Sequence, residues 1–410
     1  MVIEKLRIEN FKALREVTLR DLPNFAVFVG KNGAGKTTLF RVFAFLKDCL
    51  ATNVRTALQR EGGLNGFREV ITRGCEGESI ELEIKFRLEI AGHERLVTYL
   101  LEIGEDGRRP FVKREILRYK RARHGAPFHF IDFRNGEGYA ISNEEDFDKP
   151  DEELEREYQA LDSPDLLAIK ALGQFQRFKA ANAFRQLIEN WHISDFHITS
   201  ARGKKEPEEG RHLSSTGDNL PVVARRIRDE YPETWSRICR RMEERVPGVK
   251  KIVVQEELDG GLLVQYQDGA FKDPFFDRNV SDGTIKMFSY LILLNDPLPH
   301  KILCVEEPEN QLYPELMIVL AEEFIDYAER GGQVLVSTHS PQFLNAISGE
   351  SIFVLEKEEG VTKVYRAMDD PVVANLVREG DHPGYLWQQG SFEGMGARIK
   401  QEQKKKEIFE

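Results

Sequence analysis

The chain has 410 residues, 41% hydrophobic and 31% charged, with a net charge of −11. That much apolar material buries a large core in one composite domain or two and excludes a disordered protein, while the acidic balance argues against nonspecific coating of nucleic acid or acidic membranes without excluding a local basic groove. No run of about 18 apolar residues occurs and the first residues already alternate charge with hydrophobe, so no transmembrane helix, no signal peptide, no membrane partner and a cytoplasmic location are expected.

The opening segment VIEKLRIENF alternates as a half-buried strand does, and a second strand, FAVFVG, runs directly into a glycine loop. The helix after it reads KTTLFRVFAFLKDCL, with Leu39, Val42, Phe43 and Leu46 on one face. From about 78 to 141, alternating strands such as SIELEIKFRLEI and ERLVTYLLEI, separated by GEDG and RNGEG turns, predict antiparallel β structure. From 144 to 248 the pattern becomes helical and highly charged, without heptads sustained enough for a long coiled coil; 203–219 is the best loop candidate.

Two more strands, KIVVQEEL and GLLVQYQD, precede SDGTIKMFSYLILLND, a loop entering a buried helix. Strand and helix then alternate through KILCVEEPE, LYPELMIVLAEEFIDYAER, GGQVLVSTHS, SIFVLEKEEG and VTKVYRAM, as in a sheet covered on both faces, and the charged end KQEQKKKEIFE reads as a frayed helix. The expected organisation is an N-terminal lobe over 1–143, a helical insertion over 144–248 and a C-terminal lobe over 249–410. Cys49, Cys75, Cys239 and Cys304 are far apart and lack zinc-ligand spacing, which predicts reduced, mostly buried thiols.

Four segments carry chemistry. Gly30, Lys31, Asn32, Gly33, Ala34, Gly35, Lys36 and Thr37 meet GxxxxGK[ST] between a predicted strand and a predicted helix, the context that the pattern requires. Glycines let consecutive N–H groups turn onto phosphates, the helix N-terminus with Thr38 adds its dipole, Lys36 reaches the β and γ phosphates, and the Thr37 hydroxyl suits Mg2+. The strand Ile302–Val305 ends in Glu306 and Glu307, of which the first can hold Mg2+ and the second can polarise a water; alone, the pair would read as a surface strand end. His339, about 30 residues further at another strand end, suits a γ-phosphate sensor or a satisfied structural histidine. Ser281, Asp282, Gly283 and Thr284 open a helix, where serine and free N–H groups either cap it or bind phosphate.

In this order the motifs resemble ABC-type ATPases of the SMC, RecF and OLD-like class, among them short bacterial ATPases. The likeness begins in LRIENFKAL with Asn10, Phe11 and Lys12 and passes through the Walker A loop. It continues with SDGT as a variant signature and VEEPENQLYP as Walker B plus D-loop, and ends with STHS as the switch. The fold implied is an α/β P-loop NTPase head with a mixed sheet, an antiparallel β subdomain and a helical insertion. The resemblance implies ATP and Mg2+ sandwiched between two heads of a homodimer or higher oligomer, with Ser281, Asp282 and Gly283 completing the site in trans. Glu307 becomes the base and Glu306 the metal carboxylate, with Asn310 to Tyr313 as the linking D-loop.

Walker B ordinarily ends in Asp-Glu, and Glu306 is one methylene longer. Gln59, the only glutamine between the loop and Gln159, falls among expected loop residues, so no Q-loop is assigned. About 70 residues follow His339, with no acidic cluster of a nuclease domain, so cutting would belong to a partner. The expectation is an ATP-driven switch in DNA repair or defence against foreign DNA, working with an effector such as a nuclease or toxin. Double-stranded DNA is a further candidate partner, on two basic clusters: Arg118, Lys120, Arg121 and Arg123, and then Arg225, Arg226, Arg228, Arg237, Arg240, Arg241 and Arg245. The alternatives are an ATP-binding scaffold with little turnover, or a transporter subunit, against which the large insertion speaks.

Overall fold

The computed structural model describes residues 2–409 except 91, 120–127, 143–154, 197, 207–209, 270–274 and 277–278. The chain opens with β1 (Ile3–Phe11), β2 (Leu14–Arg20) and β3 (Phe25–Val29). It continues through β4 (Ile80–Ile90), β5 (His93–Asp106), β6 (Arg109–Tyr119), β7 (Phe128–Arg134), β8 (Glu137–Ile141) and β9 (Arg156–Ala160). Later come β10 (His192–Ser194), β11 (Val249–Glu256), β12 (Leu262–Asp268), β13 (Phe275–Phe276), β14 (Ile302–Glu306), β15 (Gln333–Thr338), β16 (Ile352–Glu358) and β17 (Val361–Arg366).

All of these strands except β3, β10–β13 and β14–β17 build one antiparallel sheet in the order β2-β1-β4-β5-β6-β7-β8-β9. Every second residue of β4 is buried, as the alternation in the sequence requires of a sheet with one covered face. A central sheet runs β10-β14-β15-β3-β16-β17, parallel except for β17, and a small sheet holds β11-β12-β13.

The central strands are apolar on both faces because both are covered. Ala26 and Phe28 of β3 join one core with the helix Lys36–Ala51 and the antiparallel sheet. Phe25, Val27 and Val29 join a second core with the helices Asp282–Leu294 and Pro314–Glu329.

The stretch 144–248 departs from a purely helical reading. It supplies β9 to the antiparallel sheet and β10 to the edge of the central sheet, and its helices divide between the two cores. The pairing is tertiary: β10 is three residues long and is a strand only because β14 runs beside it. Asn10 and Lys12 adopt left-handed φ in the β1–β2 turn, where Asn10 Nδ2 donates to the Ser79 carbonyl at 2.9 Å. Gln59 lies in a helix, Val54–Gly62, capped by Asn53, and not in a loop. Lys120, Arg121 and Arg123 lie outside the described residues. Among the described residues no helix is long and apolar enough to cross a membrane.

Candidate functional site

Register places the chemistry. Val29 pairs with Thr338 and Ser337 with Glu306 in parallel ladders, so the residues that follow these strands leave the sheet at one edge. Gly30, His339 and Glu307 therefore emerge side by side. The helix Lys36–Ala51 starts there with Gly35 in the left-handed region (φ 106°), and Gly33 is left-handed too (φ 78°). A Cβ on Gly35 would stand 2.3 Å from Thr362 Oγ1 of β17, and that hydroxyl donates to the Ala34 carbonyl at 2.8 Å. The loop is thus held from the far side of the sheet by an edge-strand residue.

Lys36 is buried, and its Nζ donates to the Gly30 carbonyl at 2.7 Å. Burial lowers its pKa, opposed by the charges of Glu307, Glu309 and Glu306. Glu306 is pushed upward chiefly by burial, against a hydrogen bond from Thr37, with Asp195 and Glu307 adding repulsion. Lys31 pairs with Glu393 at 2.8 Å on the exposed side of the loop. Thr37 and Glu306 form an oxygen-only donor pair at the helix start, which fits Mg2+ rather than a soft metal.

Glu307 is left-handed (φ 42°), a conformation that costs a non-glycine residue roughly 1 kcal/mol or more and is held here by its N–H bond to the Ser337 carbonyl at 2.8 Å. Its side chain lies 3.6 Å from His339 Nδ1, while Glu309 lies nearer, at 3.2 Å. Glu309 Oε1 also accepts from Thr338 Oγ1 at 2.8 Å and from the His339 N–H at 2.7 Å.

Ser281 caps the helix Asp282–Leu294 by accepting from the Thr284 N–H at 3.2 Å, and both Ser281 and Asp282 are exposed. Lys286, one turn on, donates to the Asn310 carbonyl at 2.7 Å, and a Cβ on Gly283 would meet the Gln311 carbonyl at 3.1 Å. Burial pushes the Lys286 amine down to about 8, opposed by Glu309, Asp195 and Glu307. Ser281 and Thr284 line a cleft with Val249, Tyr266 and Asp268; a different cleft, beside Gly30 to Ala34, is walled by Leu355, Trp387 and Phe392.

The structure thus brings Lys36, Thr37, Glu306, Glu307 and His339 together, and it puts Gly283 and Lys286, near the start of the helix that Ser281 caps and Asp282 opens, against the segment that follows Glu307. Thr362, Glu309 and Asp195 were not singled out from the sequence. Asp195 follows β10 as Glu306 ends β14, but β10 reads only His-Ile-Ser, too short and too polar to signal a strand in the sequence.

A family model described as "AAA domain, putative AbiEii toxin, Type IV TA system" matches residues 25–345. Among curated proteins none matches. Among solved structures, an SMC head bound to the C-winged helix domain of ScpA is 15% identical, covers 89% of this chain and 98% of its own, and has a TM-score of 0.55. An SMC head with an extended coiled coil, bound to the C-terminal domain of ScpA derived from Pyrococcus furiosus, is 13% identical, covers 92% and 99%, and has a TM-score of 0.50. The fold is that of an SMC/RecF-like, ABC-type ATPase head.

Proposed function

The chain belongs to this AAA-domain family of nucleotide-binding ATPases, and from that premise we propose an ATP-hydrolysing switch whose two heads close on ATP and act on an effector protein, a nuclease or toxin, in defence against foreign DNA or in repair. The observation that carries the reading is the single sheet edge shared by the Gly30–Thr37 loop, Glu306, Glu307 and His339. Gly30 to Thr38 supply N–H groups to the phosphates, and Lys36 exchanges its Gly30 carbonyl for phosphate oxygen. Thr37 and Glu306 would hold Mg2+, which when bound neutralises phosphate charge. Glu307 takes the proton of the attacking water, and His339 contacts the γ-phosphate.

Ser281, Asp282 and Gly283 complete the site of a second copy. The exposure of Ser281 and Asp282, with Ser281 lining a cleft apart from the one beside the chain's own phosphate loop, supports this reading. The effector reading draws on the family description, which names a toxin and its system. Direct binding of double-stranded DNA draws little from the helical arginines. Arg225, Arg226, Arg228, Arg241 and Arg245 pair with acids of the same chain and Arg237 bonds Asn295, leaving Arg240 as an exposed exception. One observation favours an ATP-binding scaffold with little turnover: Glu306 is longer than the usual aspartate and burial disfavours its charge.

Mixing two disabled variants tests the trans site. Lys36→Ala removes a head's own phosphate ligand, and Ser281→Arg blocks what it offers its partner. An equal mixture forms about half heterodimers, each with one intact site, so phosphate release recovers to about a quarter of wild type if the sites act independently. No recovery, in a mixture shown to exchange subunits, sinks the trans site; a wild type that binds ATP without releasing phosphate establishes the scaffold instead.

A further inference from the structure

At the opposite ends of β10 and β14 from the phosphate loop, four polar side chains converge. His192 begins β10, His300 precedes β14, Asp296 follows the helix Asp282–Leu294, and His212 comes from the irregular segment before residue 220. Donor atoms of His212, Asp296 and His300 all lie within 4.8 Å of one another. The His300 ring centroid is 4.6 Å from that of His212 and 4.8 Å from that of His192.

The hydrogen bonds around the cluster leave a lone pair inside it. His300 Nδ1 lies 2.8 Å from the Asn190 carbonyl, which only accepts, so Nδ1 carries the proton and Nε2 of the neutral ring bears a lone pair. That Nε2, and Nε2 of His192, are buried and have no hydrogen-bond partner, although His300 and His192 are only 6% and 5% exposed. Two buried imidazole nitrogens without a partner are costly unless something binds them. Asp296 spends Oδ1 on the Leu298 N–H at 3.0 Å and on Arg226 at 3.3 Å, leaving Oδ2 turned to His212 Nδ1 at 2.9 Å. Arg226 and Lys47 are the nearby cations; Arg226 is taken up by Asp296, and Lys47 Nζ donates to the Trp191 carbonyl at 2.5 Å.

We propose that His212, Asp296 and His300 form a site for a divalent transition cation, zinc by the chemistry of its ligands, with His192 packed beside the His300 ring. Two imidazoles and one carboxylate suit tetrahedral zinc with a water in the fourth position, and a donor proton bonded to a backbone carbonyl, as on His300, is the usual way of orienting a ligating ring. Donors about 2.1 Å from zinc stand roughly 3.4 Å apart, so closure needs side-chain shifts of about 1 Å. Magnesium is disfavoured because it seeks oxygen. The ion would tie the segment carrying His212 to the two neighbouring strands whose far ends lead to Asp195 and Glu306.

The test uses the full chain, purified without a histidine tag, stripped with a chelator and titrated with Zn2+ against a chromophoric competitor. One zinc per chain is expected, and Co2+ in its place should give the intense visible absorption of tetrahedral coordination. His212→Gln, on an irregular segment, and His300→Gln should each weaken zinc at least tenfold and abolish the Co2+ band, whereas Glu306→Gln should leave both unchanged. If His300→Gln does not fold, the wild-type titration and His212→Gln decide. Absence of stoichiometric zinc in the wild type, zinc retained unchanged by the histidine variants, or zinc lost with Glu306→Gln would each overturn the proposal.

Discussion

Gly35→Ala examines how the phosphate loop is held. At φ 106° an alanine pays roughly 1–2 kcal/mol for its left-handed backbone. The new methyl also lands 2.3 Å from Thr362 Oγ1, which must retreat from the Ala34 carbonyl that it bonds at 2.8 Å; leaving that buried pair unmade adds about 1–3 kcal/mol. The expected loss is therefore about 2–5 kcal/mol in urea unfolding, with at least a tenfold loss of affinity for a fluorescent ATP analogue as the loop amides turn away. Thr362→Ala removes the colliding Oγ1 and Cγ2 and leaves a Cβ contact of 3.2 Å. Combining the two substitutions should cost less than their sum by about 1–2 kcal/mol. Strict additivity, or a Gly35→Ala protein within about 0.5 kcal/mol of wild type, would refute the idea that β17 clamps the loop.

Glu307→Gln keeps the shape and the ligands of the site while removing the proposed base; ATP affinity should stay within about threefold of wild type and phosphate release should fall at least a hundredfold. Turnover near wild type would assign the base elsewhere. Glu115, buried and receiving bonds from Tyr99 and the N–H groups of Ala168 and Ile169, is pushed up to about 7 by burial. Its folded pKa lies above the ordinary value of 4.5, so the stability it brings is complete below pH 4.5 and is lost as pH rises through 7, about 3 kcal/mol in all. Urea midpoints from pH 5 to pH 8 should fall more steeply for wild type than for Glu115→Gln, and parallel slopes would contradict this.

The sequence reveals those parts of the site whose meaning is local. A glycine loop between a strand and a helix needs no tertiary information, and the strands before Glu307 and His339 announce themselves by apolar runs that stop at polar residues. Thr362 could not be found this way. It is one threonine on an edge strand, 328 residues from the carbonyl it holds, and only the sheet order brings it to the loop. Asp195 and Glu309 were missed for the same reason, their neighbours being set by β10 beside β14 and by the turn after Glu307. Gln59 was misplaced because GGLNG after it suggests a loop, although Asn53 caps a helical segment whose Val54, Ala57 and Leu58 are buried.

These unpredicted residues are what make a set of motifs into a device. Glu309 binds the end of β15 through Thr338 and His339, and Lys286 binds the helix Asp282–Leu294 to the carbonyl of Asn310, the next residue in the chain. Glu307 stands two residues before Glu309 and Asn310 three after Glu307, so His339, Glu307 and the helix Asp282–Leu294 hang on one short segment. In the proposed cycle, a γ-phosphate that draws His339 toward it pulls against Glu309, and the strain passes through Asn310 to Lys286 and the helix bearing Ser281. Burial already sets the Lys286 amine near 8, its charge kept by Glu309, Asp195 and Glu307. Charge drawn out of that acidic group would loosen the hold of Lys286 on the Asn310 carbonyl, which gives the site a physical route from nucleotide state to the face that meets the second head.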